Sequence, residues 1–345
     1  MQYKYLGNTG ILVSGLCMGT MTFGKEADRE TSAAIYKRCR DRGINFFDCA
    51  NGYAGGESER ILGDLMRGHR NDVVITSKVY FPVGPDRNAR GANRRHIMEA
   101  VEDSLKRLKT DHLDVYFLHH WDDTVPLEDP LRALDDLVSQ GKILYPGVSN
   151  YAAWQIAKAL GISSKNGWAP FRVVQPMYNL LKRQAEVEIL PLAQSENLGV
   201  ISYSPLGGGM LTGKYGTGEP KTNLGETQTR PNQRVGPSSV DSSAPRGRIE
   251  VNEIYAKRYG NGDLRSQAQA LTAFARERGY HPATLAIAWV AAHRGITAPI
   301  IGARNLEQLE SALAAAEVPM TEELYAQLSA LTPTPPPATD RSEET

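Results

Sequence analysis

The stretch Leu113-Asp114-Val115-Tyr116-Phe117-Leu118-His119 decides the fold, because it shows in one place a pattern that the chain repeats. It is a short apolar run, typical of a buried strand, that ends in a polar residue. Seven more such runs occur along the chain, at 15–18, 45–48, 73–78, 143–148, 172–175, 200–203 and 299–301. The sequence therefore predicts eight core strands.

Longer segments between these runs have apolar residues three and four positions apart, as in Ile97, Val101, Leu105 and Leu108. This spacing predicts helices that face a core. Eight strand-helix alternations predict a closed parallel (β/α)8 barrel, the TIM barrel. A doubly wound open sheet gives a similar alternation and stays open on the count alone. Residues 3–14, with a turn at Asn8-Thr9-Gly10, predict a β-hairpin that caps the barrel's N-terminal end.

The 345 residues suit one large core, and we expect a single barrel over residues 1–331. Residues 216–263, rich in Gly, Pro and Ser, follow the seventh strand and predict a long loop that acts as a lid or cofactor clasp. Disorder in the middle of this loop is the alternative. Residues 332–345 predict an extended or disordered tail.

The composition of the chain argues against two classes of binding partner. The chain has 39 Lys+Arg against 39 Asp+Glu, so its zero net charge predicts no nucleic acid or anionic membrane partner. It lacks a signal-peptide pattern and an apolar window of roughly 18 residues. Three scattered cysteines, Cys17, Cys39 and Cys49, are too few for a disulfide scaffold. We expect a cytoplasmic protein, and nothing in the sequence indicates its oligomeric state.

Five polar residues lie at or just beyond the ends of different predicted strands: Asp48, Lys78, His119, Asn150 and Gln175. In a (β/α)8 barrel these ends converge on one mouth, where active sites form. An open sheet brings together only the residues at its switch point. Polar residues also follow strands simply because loops begin there, but five in one set favour a site.

Four residues on consecutive strand ends form a candidate catalytic set: Asp48, Tyr53, Lys78 and His119. We expect the Tyr53 hydroxyl to lie beside the Lys78 ammonium, whose counter-ion is Asp48. The cation would lower the pKa of Tyr53 toward the working pH of a general acid. His119 would hydrogen-bond the same substrate oxygen. Taken singly, Asp48 suits a helix cap, Tyr53 a packed loop aromatic and His119 a core histidine.

From Tyr5 to about Leu331 the chain resembles the aldo-keto reductase superfamily, whose Asp, Tyr, Lys, His tetrad falls on these four positions. Its signature is similar here, with Cys49 in place of the usual Thr and Ala54 in place of the usual Gly. Further similar motifs are Gly147-Val148-Ser149-Asn150, Gln175 with Tyr178-Asn179, Tyr203-Ser204-Pro205-Leu206-Gly207, Gly213-Lys214-Tyr215 and Ile301-Gly302-Ala303-Arg304 with Gln308-Leu309. The resemblance is to the branch with bacterial aldehyde reductases and potassium-channel β subunits.

The resemblance implies an NADP(H)-dependent enzyme that interconverts a small aldehyde or ketone and its alcohol, with Tyr53 as the general acid or base. The implied cofactor-binding residues are Gly19, Thr20, Met21, Asp48, Ser149, Asn150, Gln175, Tyr203, Ser204, Pro205, Leu206, Gly207, Lys214, Gly302, Arg304 and Gln308. The residue types agree, since the amides suit a carboxamide, Tyr203 offers a flat face and Arg304 suits a 2′-phosphate. Ser311 and Ala312 depart from the family's usual Glu-Asn, which leaves the adenine contacts open.

The sequence bears on several alternative functions. No G-x-G-x-x-G follows a strand, which disfavours a Rossmann dehydrogenase, and Gly208–Tyr215 fits a phosphate loop except for its last residue. His119 and His120 point to opposite faces of a strand, so we expect no metal site. A redox-sensing binding module of the channel-subunit type is the rival function. Phe23, Tyr80 and Trp121, with Tyr53 and His119, are expected to line the substrate pocket.

Overall fold

Ten strands form the framework of the protein. The computed structural model describes residues 1–215, 249, 253–260 and 262–339. The strands are β1 Tyr3–Tyr5, β2 Leu12–Ser14, β3 Cys17–Gly19, β4 Phe46–Asp48, β5 Val74–Val79, β6 Leu113–Leu118, β7 Ile143–Ser149, β8 Val173–Gln175, β9 Gly199–Ser202 and β10 Ala298–Ile301. All eight core strands predicted from the sequence are present, within one or two residues of the predicted bounds.

Helices separate the strands and cover the outside of the sheet. In the described residues they are α1 Arg29–Asp41, α2 Glu57–Leu65, α3 Arg94–Leu108, α4 Glu128–Ser139, α5 Ala153–Asn166, α6 Ile189–Ser195, α7 Glu253–Tyr259, α8 Gly262–Glu277, α9 Pro282–Ala292, α10 Leu306–Leu313 and α11 Glu322–Ser329. Short 3-10 helices occur at Tyr53–Gly56, Arg70–Asp72, Gln184–Glu186, Gly207–Thr212 and Ala314–Glu317. Helix α7 lies inside the segment 216–263, whose composition predicted a loop.

The sheet is closed. Strands β3 to β10 pair in parallel in sequence order, and β10 pairs with both β9 and β3. This closure confirms the (β/α)8 barrel and excludes the open doubly wound sheet. It also brings the C-terminal ends of all eight strands to one rim.

Alternation along each strand divides the interior into an apolar floor and a polar upper layer. Phe46, Val74 and Val173 belong to one buried cluster inside the barrel. Because side chains on a strand point to alternate faces, the residues two and four positions further along also point inward. On β4 and β8 these residues are Asp48 and Gln175. The strand period therefore places a polar layer directly above the apolar floor.

The N-terminal hairpin caps the floor of the barrel, as predicted. Strands β1 and β2 are antiparallel, and Leu6 and Val13 are fully buried in the interior cluster. At the base of β9, Leu6 packs so closely on Gly199 that a Cβ there would lie 2.6 Å from a Leu6 methyl carbon. The barrel is therefore open at the mouth and filled at the opposite end.

The remaining predictions about chain organisation lie mainly outside the described residues. Residues 216–248, 250–252 and 261 of the predicted lid and residues 340–345 of the predicted tail are in this group. Residues 332–339 of the tail have no regular secondary structure. No helix in the described part of the chain is long and apolar enough to cross a membrane.

Candidate active site

A buried ion pair lies at the centre of the mouth. Lys78, on β5, donates from Nζ to Asp48 Oδ2 at 2.7 Å and to the carbonyl oxygen of Cys49 at 2.6 Å. The side chains of Lys78 and Asp48 are 0% and 3% exposed. Two charges this far from water are tolerated only when they pair and hydrogen-bond, as they do here.

Tyr53 is turned toward this ion pair by a tight turn. It begins a 3-10 helix in which Ala54, Gly55 and Gly56 have left-handed φ angles of 47°, 63° and 88°. Lys78 Nζ lies 3.4 Å from the Tyr53 hydroxyl oxygen and donates to it. The glycine-rich sequence thus permits the chain reversal that folds the phenol over the lysine.

A second buried ion pair supports the turn from outside the barrel. Glu59, on α2, is fully buried, accepts from Arg107 Nε at 2.6 Å and accepts from the Ser77 hydroxyl at 2.6 Å. A Cβ on Gly56 would lie 2.8 Å from Arg107 Cδ. One carboxylate therefore joins the helix after the Tyr53 turn to β5 and α3.

The environment of Tyr53 raises its pKa, contrary to the lowering expected from sequence. Burial raises the pKa of Tyr53 to about 12; the Lys78 ammonium acts in the opposite direction and Asp48 adds to the increase. Desolvation of a phenolate therefore outweighs the nearby cation in the protein without a cofactor. Tyr53 holds its proton at neutral pH, the form that a general acid requires.

Lys78 is positively charged, whereas His119 is neutral. Burial by itself lowers the pKa of Lys78, but Asp48 and Tyr53 reverse this effect and raise it above the ordinary value. Burial, helped by the Lys78 charge, holds the pKa of His119 well below its usual range. The ring centroids of Tyr53 and His119 are 6.4 Å apart, edge to face. An ammonium, a neutral phenol and a neutral imidazole therefore lie close together at the mouth of the barrel.

The carboxylate of Asp48 is held by two more residues. Its Oδ1 accepts from the Thr76 hydroxyl at 2.7 Å and from Gln175 Nε2 at 2.9 Å. Gln175 was predicted as a cofactor contact, whereas Thr76 was not predicted at all. The available signal was the strand period, because Thr76 is two residues before Lys78 and faces the same side of β5.

A cavity of about 240 Å³ is lined mainly by apolar side chains, together with Asn150, Gln175 and Tyr203, and no tetrad residue lines it. The Tyr203 hydroxyl donates to Asn150 Oδ1 at 2.7 Å, and Asn150 Nδ2 donates to the His119 carbonyl oxygen at 2.8 Å. Ser149 donates to the Gln175 carbonyl oxygen at 2.9 Å. The structure therefore brings together the four side chains that the sequence assigned to a nicotinamide.

A larger groove of about 720 Å³ lies far from this site, at the opposite end of the barrel. Its charged side chains are already paired, as in Lys142 with Glu102 and Arg70 with Asp114. The smaller cavity is linked to the tetrad through Gln175, which donates to Asp48, and we base the site on the tetrad and its hydrogen-bonded neighbours.

The predicted residues of strand β3 and its loop differ in exposure. Thr20 is fully buried: its hydroxyl donates to the Asp48 carbonyl oxygen and accepts from Ser58. Thr20 therefore supports a strand end, and its assignment to the cofactor site stays a prediction. Gly19 is also buried, and Met21 is partly exposed at the mouth.

The predicted phosphate contacts lie around the last two strands. Gly208 and Gly209 have φ angles of 66° and 95°, and Lys214 is exposed, with Nζ near Gly209. At the start of α10, Asn305 caps the helix through the Gln308 amide, and the Gln308 side chain accepts from the Arg304 amide. The arrangement leaves a helix N-terminus beside an arginine, a favourable environment for an anion.

The aromatic residues predicted for the substrate pocket differ in their surroundings. Phe23 is fully buried in the main core, and its assignment to the pocket stays a prediction. Tyr80 packs on His120 and Trp121 on Tyr151. Phe81, which was not predicted from the sequence, lies with its ring 4.9 Å from that of His119. A half-exposed Phe81 therefore borders the tetrad.

No group of three or more potential metal-binding side chains occurs within the described ranges. The ring of His120 is exposed, and its Nδ1 is 2.8 Å from the Trp121 carbonyl oxygen.

The chain is similar to several known proteins over most of its length. A model of the aldo/keto reductase family matches residues 15–333. An uncharacterized oxidoreductase, YrpG, of Bacillus subtilis is 37% identical over 97% of each chain. A probable voltage-gated potassium channel subunit beta of Arabidopsis thaliana is 35% identical over 92% of each chain. The L-glyceraldehyde 3-phosphate reductase of Escherichia coli K12 is 30% identical over 90% of this chain and 86% of its own.

Proposed function

We propose that this chain, which belongs to the aldo/keto reductase family, is an NADP(H)-dependent oxidoreductase that interconverts an aldehyde or ketone with its alcohol. The observation that carries this proposal is the Tyr53 hydroxyl 3.4 Å from Lys78 Nζ at the mouth of the barrel, where burial raises the pKa of Tyr53. A phenol that keeps its proton at neutral pH and an adjacent cation are the parts that carbonyl reduction needs.

The residues fit the cofactor. Asn150 and Gln175 would hold the nicotinamide carboxamide, and Tyr203 would stack on the ring. In the described part of the chain, no hydrogen bond engages Gln175 Oε1 and no acidic side chain pairs with the Arg304 guanidinium. Arg304 would hold a 2′-phosphate, and Lys214 with the glycines after β9 would hold the diphosphate.

The reaction would follow from the charge states at the mouth. When bound, the reduced cofactor supplies a hydride to the carbonyl carbon. Tyr53 donates its proton to the carbonyl oxygen, so the negative charge that develops there is neutralised. Neutral His119 donates a hydrogen bond to the same oxygen, and Lys78 stabilises the phenolate that remains. In the reverse direction Tyr53 accepts the proton of the alcohol.

The location is part of the proposal. Cys17, Cys39 and Cys49 are all buried free thiols. Free thiols suit a reducing compartment, so we place the protein in the cytoplasm. The substrate would be a small molecule, and the single barrel of residues 1–331 would be the functional unit.

A second function has one observation in its favour. A relative that is 35% identical carries the name of a probable potassium channel subunit beta. On that reading the barrel binds the cofactor and serves as a redox-sensing module for a partner. The complete tetrad favours the enzyme, because a pure binding module has no need for a proton donor.

The test is NADPH oxidation with a panel of aliphatic and aromatic aldehydes and ketones. We expect turnover, and we expect Tyr53→Phe to lower kcat by roughly a hundredfold or more, because the proton donor is lost. Cofactor affinity should not change in this variant. Tight NADPH binding without turnover of any carbonyl would favour the binding module, and a fully active Tyr53→Phe protein would refute the role of Tyr53.

A further inference from the structure

We propose that Thr76 is a positioning residue that sets the proton affinity of Tyr53 by holding the Asp48 carboxylate. The inference rests on the proposed function for its kinetic consequence. It adds a residue outside the tetrad, fully buried on β5, with no surface through which to contact a substrate or cofactor.

The two oxygens of Asp48 have different partners. Oδ2 faces Lys78 Nζ at 2.7 Å, and Oδ1 accepts two hydrogen bonds, from Thr76 and from Gln175. Each donor to Oδ1 draws negative charge toward that oxygen and away from the one that faces Lys78. Donation by Thr76 therefore leaves more of the Lys78 positive charge to act on Tyr53.

The same contact also has a geometric effect. Lys78 Nζ divides its hydrogen bonds between Asp48, the Cys49 carbonyl oxygen and Tyr53, and the Tyr53 contact is the longest at 3.4 Å. Without Thr76, the carboxylate can rotate toward the ammonium and draw it further from the phenol. Without Thr76, Asp48 neutralises the Lys78 charge more fully and the ammonium lies further from Tyr53. Both effects favour the protonated phenol.

Among the residues that the structure describes, four titratable groups face the Tyr53 hydroxyl. They are Lys78 on β5, Asp48 at the end of β4, the neighbouring Cys49 and, across the mouth, His119. The Cys49 pKa is raised to about 12 by burial, and His119 is neutral because burial lowers its pKa. Apart from burial, which raises the pKa of Tyr53, Lys78 lowers this pKa and Asp48 raises it, so the balance between these two groups decides how readily Tyr53 loses its proton.

The test is the pH dependence of alcohol oxidation in Thr76→Val, which keeps the side-chain shape and removes the hydroxyl. Below the pKa of Tyr53, the oxidation rate is proportional to the fraction that is deprotonated. A hydrogen bond to a charged group changes such an equilibrium by about tenfold, so kcat at pH 7 should fall about tenfold. The midpoint of the profile should rise by about one pH unit, with KM and the NADP⁺ dissociation constant unchanged.

Two variants separate positioning from packing. Thr76→Ser restores the hydroxyl and should restore the wild-type midpoint. Thr284→Val removes another buried hydroxyl, which donates to the Ser311 carbonyl oxygen between α9 and α10, and should lower stability without moving the midpoint. An unchanged midpoint in Thr76→Val, or equal loss in the Val and Ser variants, overturns the proposal.

One measurement is independent of turnover. The ζ-nitrogen NMR signal of Lys78 in the cofactor-free protein should move in Thr76→Val and remain in place in Thr284→Val. A wild-type protein that turns over no alcohol would count against the proposed function, whereas an unmoved Lys78 signal would count against the role of Thr76. The two failures are therefore distinguishable.

Discussion

Removal of one member of the buried ion pair is the sharpest perturbation of this structure. In Lys78→Met the side chain keeps its length and loses its charge, so the Asp48 carboxylate stays 3% exposed without a counter-ion. The Cys49 carbonyl oxygen also loses its donor, at 2.6 Å in the native protein. The donors Thr76 and Gln175 remain on the other carboxylate oxygen.

The cost follows from the residues that remain. Breaking a buried pair destabilises a protein by about 3–5 kcal/mol, because an uncompensated charge stays buried. Two retained donors place Lys78→Met near the lower end, at about 3 kcal/mol. Neutralising the partner as well, in Asp48→Asn/Lys78→Met, should recover about 2 kcal/mol of this loss, since no charge is then left in the interior.

Urea denaturation followed by tryptophan fluorescence gives the free energies of unfolding for the single and double variants. Lys37→Met is the matched control, because Lys37 pairs with Asp41 at a site that is 77% exposed, and its removal should have little effect. A double variant as unstable as the sum of its two single variants would refute the reasoning, since no coupling between the two charges would then exist.

Three other predictions follow from the described geometry. Arg304→Ala should weaken NADPH binding about ten- to a hundredfold and leave NADH nearly unchanged, whereas Lys214→Ala should weaken both; fluorescence titration that finds equal losses for both cofactors in the Arg304 variant would contradict the assignment. Burial lowers the folded-state pKa of His119 well below 6.5, so the unfolded chain binds the extra proton first and stability should fall as pH drops from about 7 to 5. His119→Asn should reduce that dependence in urea melts, and an unchanged slope would argue against a neutral histidine. Gly56→Ala should destabilise the protein more than Gly68→Ala, because both glycines have φ near 85° but only the former would bring a Cβ within 2.8 Å of an arginine side chain; equal urea midpoints would exclude that collision.

The strands and the position of the tetrad could be predicted because, in a barrel, a local sequence pattern fixes where a residue lies in the fold. A polar residue at the end of a parallel strand has to lie at the rim, whatever the rest of the chain does. Asp48, Lys78 and His119 met this condition. Tyr53 followed because glycines beside it permit a reversal back over the rim.

Other features of the site could not be predicted, because they depend on loop paths and burial that a sequence does not show. Phe23 and Phe81 both follow strands, and only the path of each loop decides that Phe23 turns into the core while Phe81 faces His119. The direction of the Tyr53 pKa depends on how deeply the phenol is buried, which outweighs the lysine beside it. Thr76 was overlooked because threonine in a strand is ordinarily explained by β propensity.

The hairpin under the barrel has a kinetic consequence. With Leu6 and Val13 filling the floor, the barrel interior is closed at that end, so the polar layer is reached from the mouth. Under the proposed function, the nicotinamide contacts Asn150 and Gln175 and the proton donor Tyr53 are approached from the same side. With the dinucleotide and the carbonyl sharing this entrance, we expect a compulsory sequence in which the dinucleotide binds first and leaves last. Steady-state product inhibition should then be competitive only between the two redox forms of the dinucleotide.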